Sequence, residues 1–170
     1  MTEKAKKVGR KSLATKRQEL LIQLWGDELD DLAVWSRHEH DGFSTIPRTL
    51  PHITRILDSL ADAGSPLGQT YLALWCRVFD EGLVEIKDQA VVAYESGFGG
   101  KRMVSTWTSR MKKLRDLGFI STKKTFRGEF QYVLLLNPFV TIKKIYEDKP
   151  QDERYIALVE RMLEVGAKWE

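Results

Sequence analysis

One run of the chain concentrates side chains suited to hydrogen-bonding a polyanion: Lys101, Arg102, Ser105, Thr106, Ser109, Arg110 and Lys113. At about 100° per residue, Arg102, Ser105, Ser109, Lys112 and Lys113 fall on one side of a helix, opposite Val104, Trp107, Met111 and Leu114. Guanidinium and hydroxyl groups in that pattern can pair with planar hydrogen-bonding edges, and ammonium groups can hold phosphate oxygens. Lys123, Lys124 and Arg127 follow shortly after. Between Lys101 and Arg127 nine basic residues face a single acid, Asp116, although the whole chain carries a net charge of only +3. A second basic cluster opens the chain, where Lys4, Lys6, Lys7, Arg10, Lys11, Lys16 and Arg17 face only Glu3. Such segregation within a near-neutral protein predicts a polyanion-binding face.

Other chemistries find less support. His38, Glu39, His40 and Asp41 lie together, but no second ligand cluster accompanies them, so they read as solvated side chains and no metal is expected. Gly97-Phe98-Gly99-Gly100 lacks the GK[ST] ending of a P-loop and the GxGxxG spacing of a dinucleotide fold. No serine, cysteine or carboxylate pair stands in a nucleophile motif, so the expectation is a non-enzyme without a cofactor. The single cysteine, Cys76, excludes an internal disulfide framework and is expected to be a buried, inert thiol. No apolar run approaches the roughly 20 residues needed to cross a bilayer. The basic N-terminus leads into a polar amphipathic pattern instead of a secretory signal, which places the expected site of action in the cytoplasm, associated with the nucleoid.

The elements that must position these groups follow from periodicity. Residues 1–11 have none and are expected to form a disordered basic arm. Residues 12–64 predict a helical region packing on the core. Within it Ser12 caps an amphipathic stretch reaching about Arg37, broken near Gly26, and Thr49 caps a short helix containing Ile53, Ile56, Leu57 and Leu60. Ser65-Pro66 starts a core helix carrying Leu67, Tyr71, Leu74, Trp75, Val78 and Phe79 up to Gly82. Leu83 to Lys87 reads as a short strand, Asp88 as the cap of a two-turn helix, and Gly97 to Gly100 as a turn. A long helix is expected over about 101–117, ended by Gly118. Two strands, Ile120 to Phe126 and Gln131 to Leu136, are joined by a turn over residues 127–130, with Phe126, Phe130, Tyr132, Leu134 and Leu136 as anchors. Residues 138–170 predict a helical extension opened by Asn137-Pro138, whose last helix has the stripe Tyr155, Ile156, Val159, Met162 and Leu163.

RMVSTWTSRMKKLRDLGFI followed by STKKTFRGEFQYVLLL resembles the recognition helix and wing of winged helix-turn-helix DNA-binding proteins, among them bacterial transcriptional regulators and plasmid replication initiators. The Leu114, Leu117, Gly118, Phe119, Ile120 ending that leads into a basic hairpin carries much of the likeness. The expected fold is therefore mainly α with a small β-wing, a winged helix-turn-helix over 65–137 with N- and C-terminal helical extensions. The resemblance implies sequence-specific binding of double-stranded DNA by a transcriptional regulator. The helix at about 101–117 would enter the major groove, with Arg102, Ser105, Thr106 and Ser109 at base edges and Lys101, Arg110 and Lys113 on phosphates. The wing over 120–136, through Lys123, Lys124 and Arg127, would meet the backbone or minor groove. A homodimer is expected, because one recognition helix reads few base pairs and both terminal regions carry apolar stripes. Two other readings stay open: a replication or partition protein of a mobile element bound to origin repeats, and a winged helix used as a protein-interaction module.

Overall fold

The computed structural model describes residues 15–78, 81–126 and 128–169. The expected basic arm, the Ser12 cap, Phe79 and Arg127 lie outside the described residues. The chain divides into two units, Met1–Phe43 and Ser44–Glu170.

In the first unit, α1 is helical over residues 15–25 and passes into a 3-10 turn, Gly26–Asp30. The helix stops at Trp25, at the break expected near Gly26, because Gly26 takes a φ of 48°, a left-handed conformation that a continuing helix cannot accommodate. Further on, Trp35 stacks on His40 with ring centroids 6.2 Å apart and meets Phe43 edge-on at 6.1 Å. The Ser36 carbonyl accepts from His40 Nδ1 at 2.9 Å, so this histidine is engaged locally.

The second unit opens with α2, Leu50–Leu60, whose Leu50, Ile53, Ile56 and Leu57 are buried at helical spacing. Helix α3 spans Gly68–Trp75. It starts three residues later than Ser65 suggests, because its cap is not local. Asp58 of α2 accepts through Oδ1 from the amides of Leu67 at 2.8 Å and Gly68 at 2.7 Å. The helix also ends well before Gly82, which leaves Cys76 exposed instead of buried. Strand β1, Leu83–Glu85, turns Val84 inward. Asp88 caps α4, Gln89–Glu95, by accepting from Ala90 N at 2.8 Å. The long helix α5 spans Met103–Asp116.

Strands β2, Ile120–Thr125, and β3, Gly128–Leu135, form a hairpin, and β1 pairs with the other side of β3. All three run antiparallel in the order β1-β3-β2, with Val84 opposite Val133 and Ile120 opposite Leu135. The hairpin reverses earlier than expected, since Gly128 and Glu129 already belong to β3. Phe130 is buried as an anchor, but Tyr132 and Leu134 point outward and Phe126 is 92 % exposed. Asn137 caps α6, Pro138–Ile145, and Asp152 caps α7, Glu153–Val165.

Helices thus dominate, and one small three-stranded antiparallel sheet is the β structure among the described residues. A single core joins side chains from α2 through α7 and from the sheet. Its aromatic members meet edge to face, with Tyr71 and Phe119 at 5.7 Å and Trp107 and Phe130 at 5.7 Å. Helix α7 packs on α2 and buries Leu158 and Met162, so its inward stripe is rotated from the expected one and leaves Leu163 78 % exposed.

The Asp58 cap gives the first prediction. Asp58→Ala strips two α3 amides of their acceptor and is expected to lower stability by about 1–2 kcal/mol, whereas Asp58→Asn keeps most of it. A urea midpoint equal to wild type in Asp58→Ala, at unchanged slope, would show the cap to be energetically silent.

Candidate nucleic-acid interface

Helix α5 is oriented by its apolar side. Trp107, Met111 and Leu114 are fully buried and Val104 is half-buried, which turns Arg102, Ser105, Ser109 and Lys112 to solvent on the opposite side. At its carboxyl end Gly118 takes a φ of 81°, and Phe119 N and Gly118 N close back on the Leu114 carbonyl at 3.0 Å and the Arg115 carbonyl at 2.9 Å. This left-handed cap drops Phe119 into the core and sends the chain directly into β2.

The hairpin is tied to α5 at two levels. Inside, Trp107 meets Phe130 of β3. Outside, the Arg115 guanidinium forms ion pairs with Asp116 and with Glu129 of β3. Near the reversal, Thr125 Oγ1 stands 2.6 Å from Gln131 Oε1 and 3.1 Å from the Gly128 carbonyl. On the other side of α5, the turn after α4 places the half-buried Phe98 against the core and under Arg110, whose Cζ lies 5.8 Å from the ring centroid. Arg77, after α3, binds Glu95 at the end of α4, with Nη2 2.7 Å from Oε1. The hydrogen bond from Arg77 holds the Glu95 carboxyl below the usual carboxylate range.

The structure brings most of the candidate side chains onto α5 and the adjoining hairpin but gives them different surroundings. Lys101 and Arg102 are exposed at the amino end of α5, whose first turn has no acidic residue and no side-chain cap. The amino-terminal end of the helix dipole adds positive potential there to the two cations. Ser105 donates from Oγ to the Arg102 carbonyl at 2.8 Å and Ser109 to the Ser105 carbonyl at 3.1 Å. Each hydroxyl proton is therefore directed at the backbone, while the oxygen still presents acceptor lone pairs outward.

Thr106 and Arg110 are half-buried, and Lys113 donates to Asp62 Oδ1 at 3.1 Å. Two of the three cations expected on phosphates, Arg110 and Lys113, are thus already engaged by Phe98 and Asp62. Lys112, which the wheel places outward, is exposed. Lys123 and Lys124 are exposed on β2, an edge strand, and Arg127 lies outside the described residues. Among the described residues no acid stands within salt-bridge distance of Lys101, Arg102, Lys112, Lys123 or Lys124. Phe126, which follows Thr125 at the end of β2, is 92 % exposed and does not anchor the strand as its aromatic type predicts.

No group of three or more His, Cys, Asp or Glu suited to a metal ion occurs among the described residues, and none of their helices is long and apolar enough to cross a membrane. Comparison with protein-family models, curated proteins and solved structures finds no match to this chain.

The outer tie between helix and hairpin can be measured. Glu129→Gln removes one charge partner of Arg115, a half-exposed pair worth about 1 kcal/mol or less. Amide exchange across Ile120 to Thr125 is expected to rise by up to about fivefold, with α5 protection unchanged. Identical exchange in both proteins would mean that the Arg115–Glu129 pair does not hold the hairpin.

Proposed function

We propose that this protein binds double-stranded DNA sequence-specifically through a winged helix-turn-helix formed within residues 65–137, and that it acts as a transcriptional regulator. In this reading α4 and α5 are the helix-turn-helix pair, α5 is the recognition helix in the major groove, and the β2–β3 hairpin is the wing. The observation that carries it is the outward face of α5, which presents Arg102, Ser105, Ser109 and Lys112 to solvent, together with the exposed Lys123 and Lys124 of the adjoining hairpin. Arg102 at the amino end is placed to pair with a base edge, with Ser105 and Ser109 as acceptors further along. Lys101, Lys112, Lys123 and Lys124 supply phosphate contacts. The protein acts as a homodimer, because one α5 covers few base pairs and two related half-sites restore specificity.

Selection of bound sequences from a random duplex pool tests binding, preference and half-site spacing together. With about four phosphates neutralised per protomer, log affinity is expected to fall against log salt with a slope of about −4 per protomer. On the selected site Arg102→Ala is expected to cost about 1–3 kcal/mol and relax preference at one base pair. Replacing Lys123 or Lys124 with Ala should instead weaken all duplexes evenly and reduce the slope by about one. Failure to retard any duplex at low salt would overturn the reading and favour an acidic protein as the partner of the same face.

A further inference from the structure

Residues 15–43 include no buried side chain among those described, yet α1 carries Leu20, Leu21, Leu24 and Trp25 on one side of the wheel within two turns. Leu20 is 50 % exposed, Leu24 60 % and Trp25 44 %. A lone helix of this length is marginal in water and gains its stability from packing an apolar face. Something must cover this one.

The charges at the two ends of the stripe identify what does. Arg17 lies on the stripe about one turn before Leu20 and Leu21, with Lys16 next to it. After the break at Gly26, Asp27, Glu28, Asp30 and Asp31 lie in and just after the 3-10 turn. A segment that is cationic at one end, apolar in the middle and anionic at the other is complementary to itself when turned end for end. An isologous two-fold interface requires that property.

We infer that α1 and the 3-10 turn after it form an antiparallel homodimer interface, in which Arg17 faces the partner's Glu28 and the leucines with Trp25 pack across the axis. The centre of the stripe falls near Ile22 and Gln23, which sets the two-fold there. Helix α7 fits the role less well. Its Leu158 and Met162 already belong to the core, Tyr155 stacks on Trp169 at 5.6 Å, and the exposed Ile156 and Leu163 are separated by Glu160 without a basic counterpart arranged end for end. The inference names the surface that the homodimer reading requires and rests on that reading, not on DNA binding.

The test uses the full chain, with mass read by light scattering across micromolar concentrations at low salt. Wild type is expected at twice the chain mass. Arg17→Glu and Glu28→Arg each convert two facing pairs to like charges, and each is expected to raise the dimer dissociation constant about tenfold. The double variant Arg17→Glu with Glu28→Arg is expected to restore dimerisation, and Leu24→Asp to abolish it. A wild-type monomer overturns the inference together with the homodimer reading. A dimer indifferent to all these substitutions overturns the surface alone. Retardation of duplex DNA, measured in parallel on the same variants, reports on the DNA-binding reading separately.

Discussion

The seating of Trp107, Met111 and Leu114 in the core is the constraint on which the remaining arrangement depends. All three are fully buried, and they come from one helix at spacings of four and three. Losing a single such side chain from a core costs about 2–5 kcal/mol. Rotating α5 far enough to expose the row would forfeit all three at once, a penalty larger than any surface attraction could offset. The direction of Arg102, Ser105, Ser109 and Lys112 is therefore decided from inside the molecule. Their outward presentation follows from what their neighbours bury.

Polar ties around α5 act at a different scale. The Lys113–Asp62 and Arg115–Glu129 pairs are partly exposed, and such pairs contribute about 1 kcal/mol or less each. They set local orientation where burial leaves freedom. Arg115 reaches across to the hairpin, Lys113 reaches back towards the end of α2, and Arg77 joins the end of α3 to α4 through Glu95. The helix is thus fixed in rotation by apolar contact and trimmed in position by charge.

Features that depend on sequence neighbours were legible in the chain. The 3.6-residue period of α5, the caps at Asp88 and Asn137 and the left-handed glycine at 118 all appear where local chemistry puts them. Features supplied from elsewhere were not. The start of α3 depends on Asp58, a side chain from the preceding helix, and no local signal competes with it. The partners that engage Lys113 and Arg110 are likewise brought in by folding, so the wheel located their face but not their surroundings. Helix α7 carries apolar residues on two sides, and only the position of α2 selects between them. Phe126 misled through its type, because aromaticity favours strands without specifying whether a strand end will be covered.

The hairpin's register shifts between Lys123 and Thr125. On the stem side, Thr122 opposite Val133 and Ile120 opposite Leu135 keep regular pairing, and Val133 and Leu135 face the core. Strand alternation has a period of two, so a one-residue slip in the stem would exchange its inward and outward side chains. Because the irregularity lies on the far side of those pairs, residue count at the reversal is uncoupled from their alternation. Phe130 and Gln131 are the buried side chains on the tip side of the shift, so the seating of these two, and not the stem pairing, bounds how far the end of the hairpin can change in length.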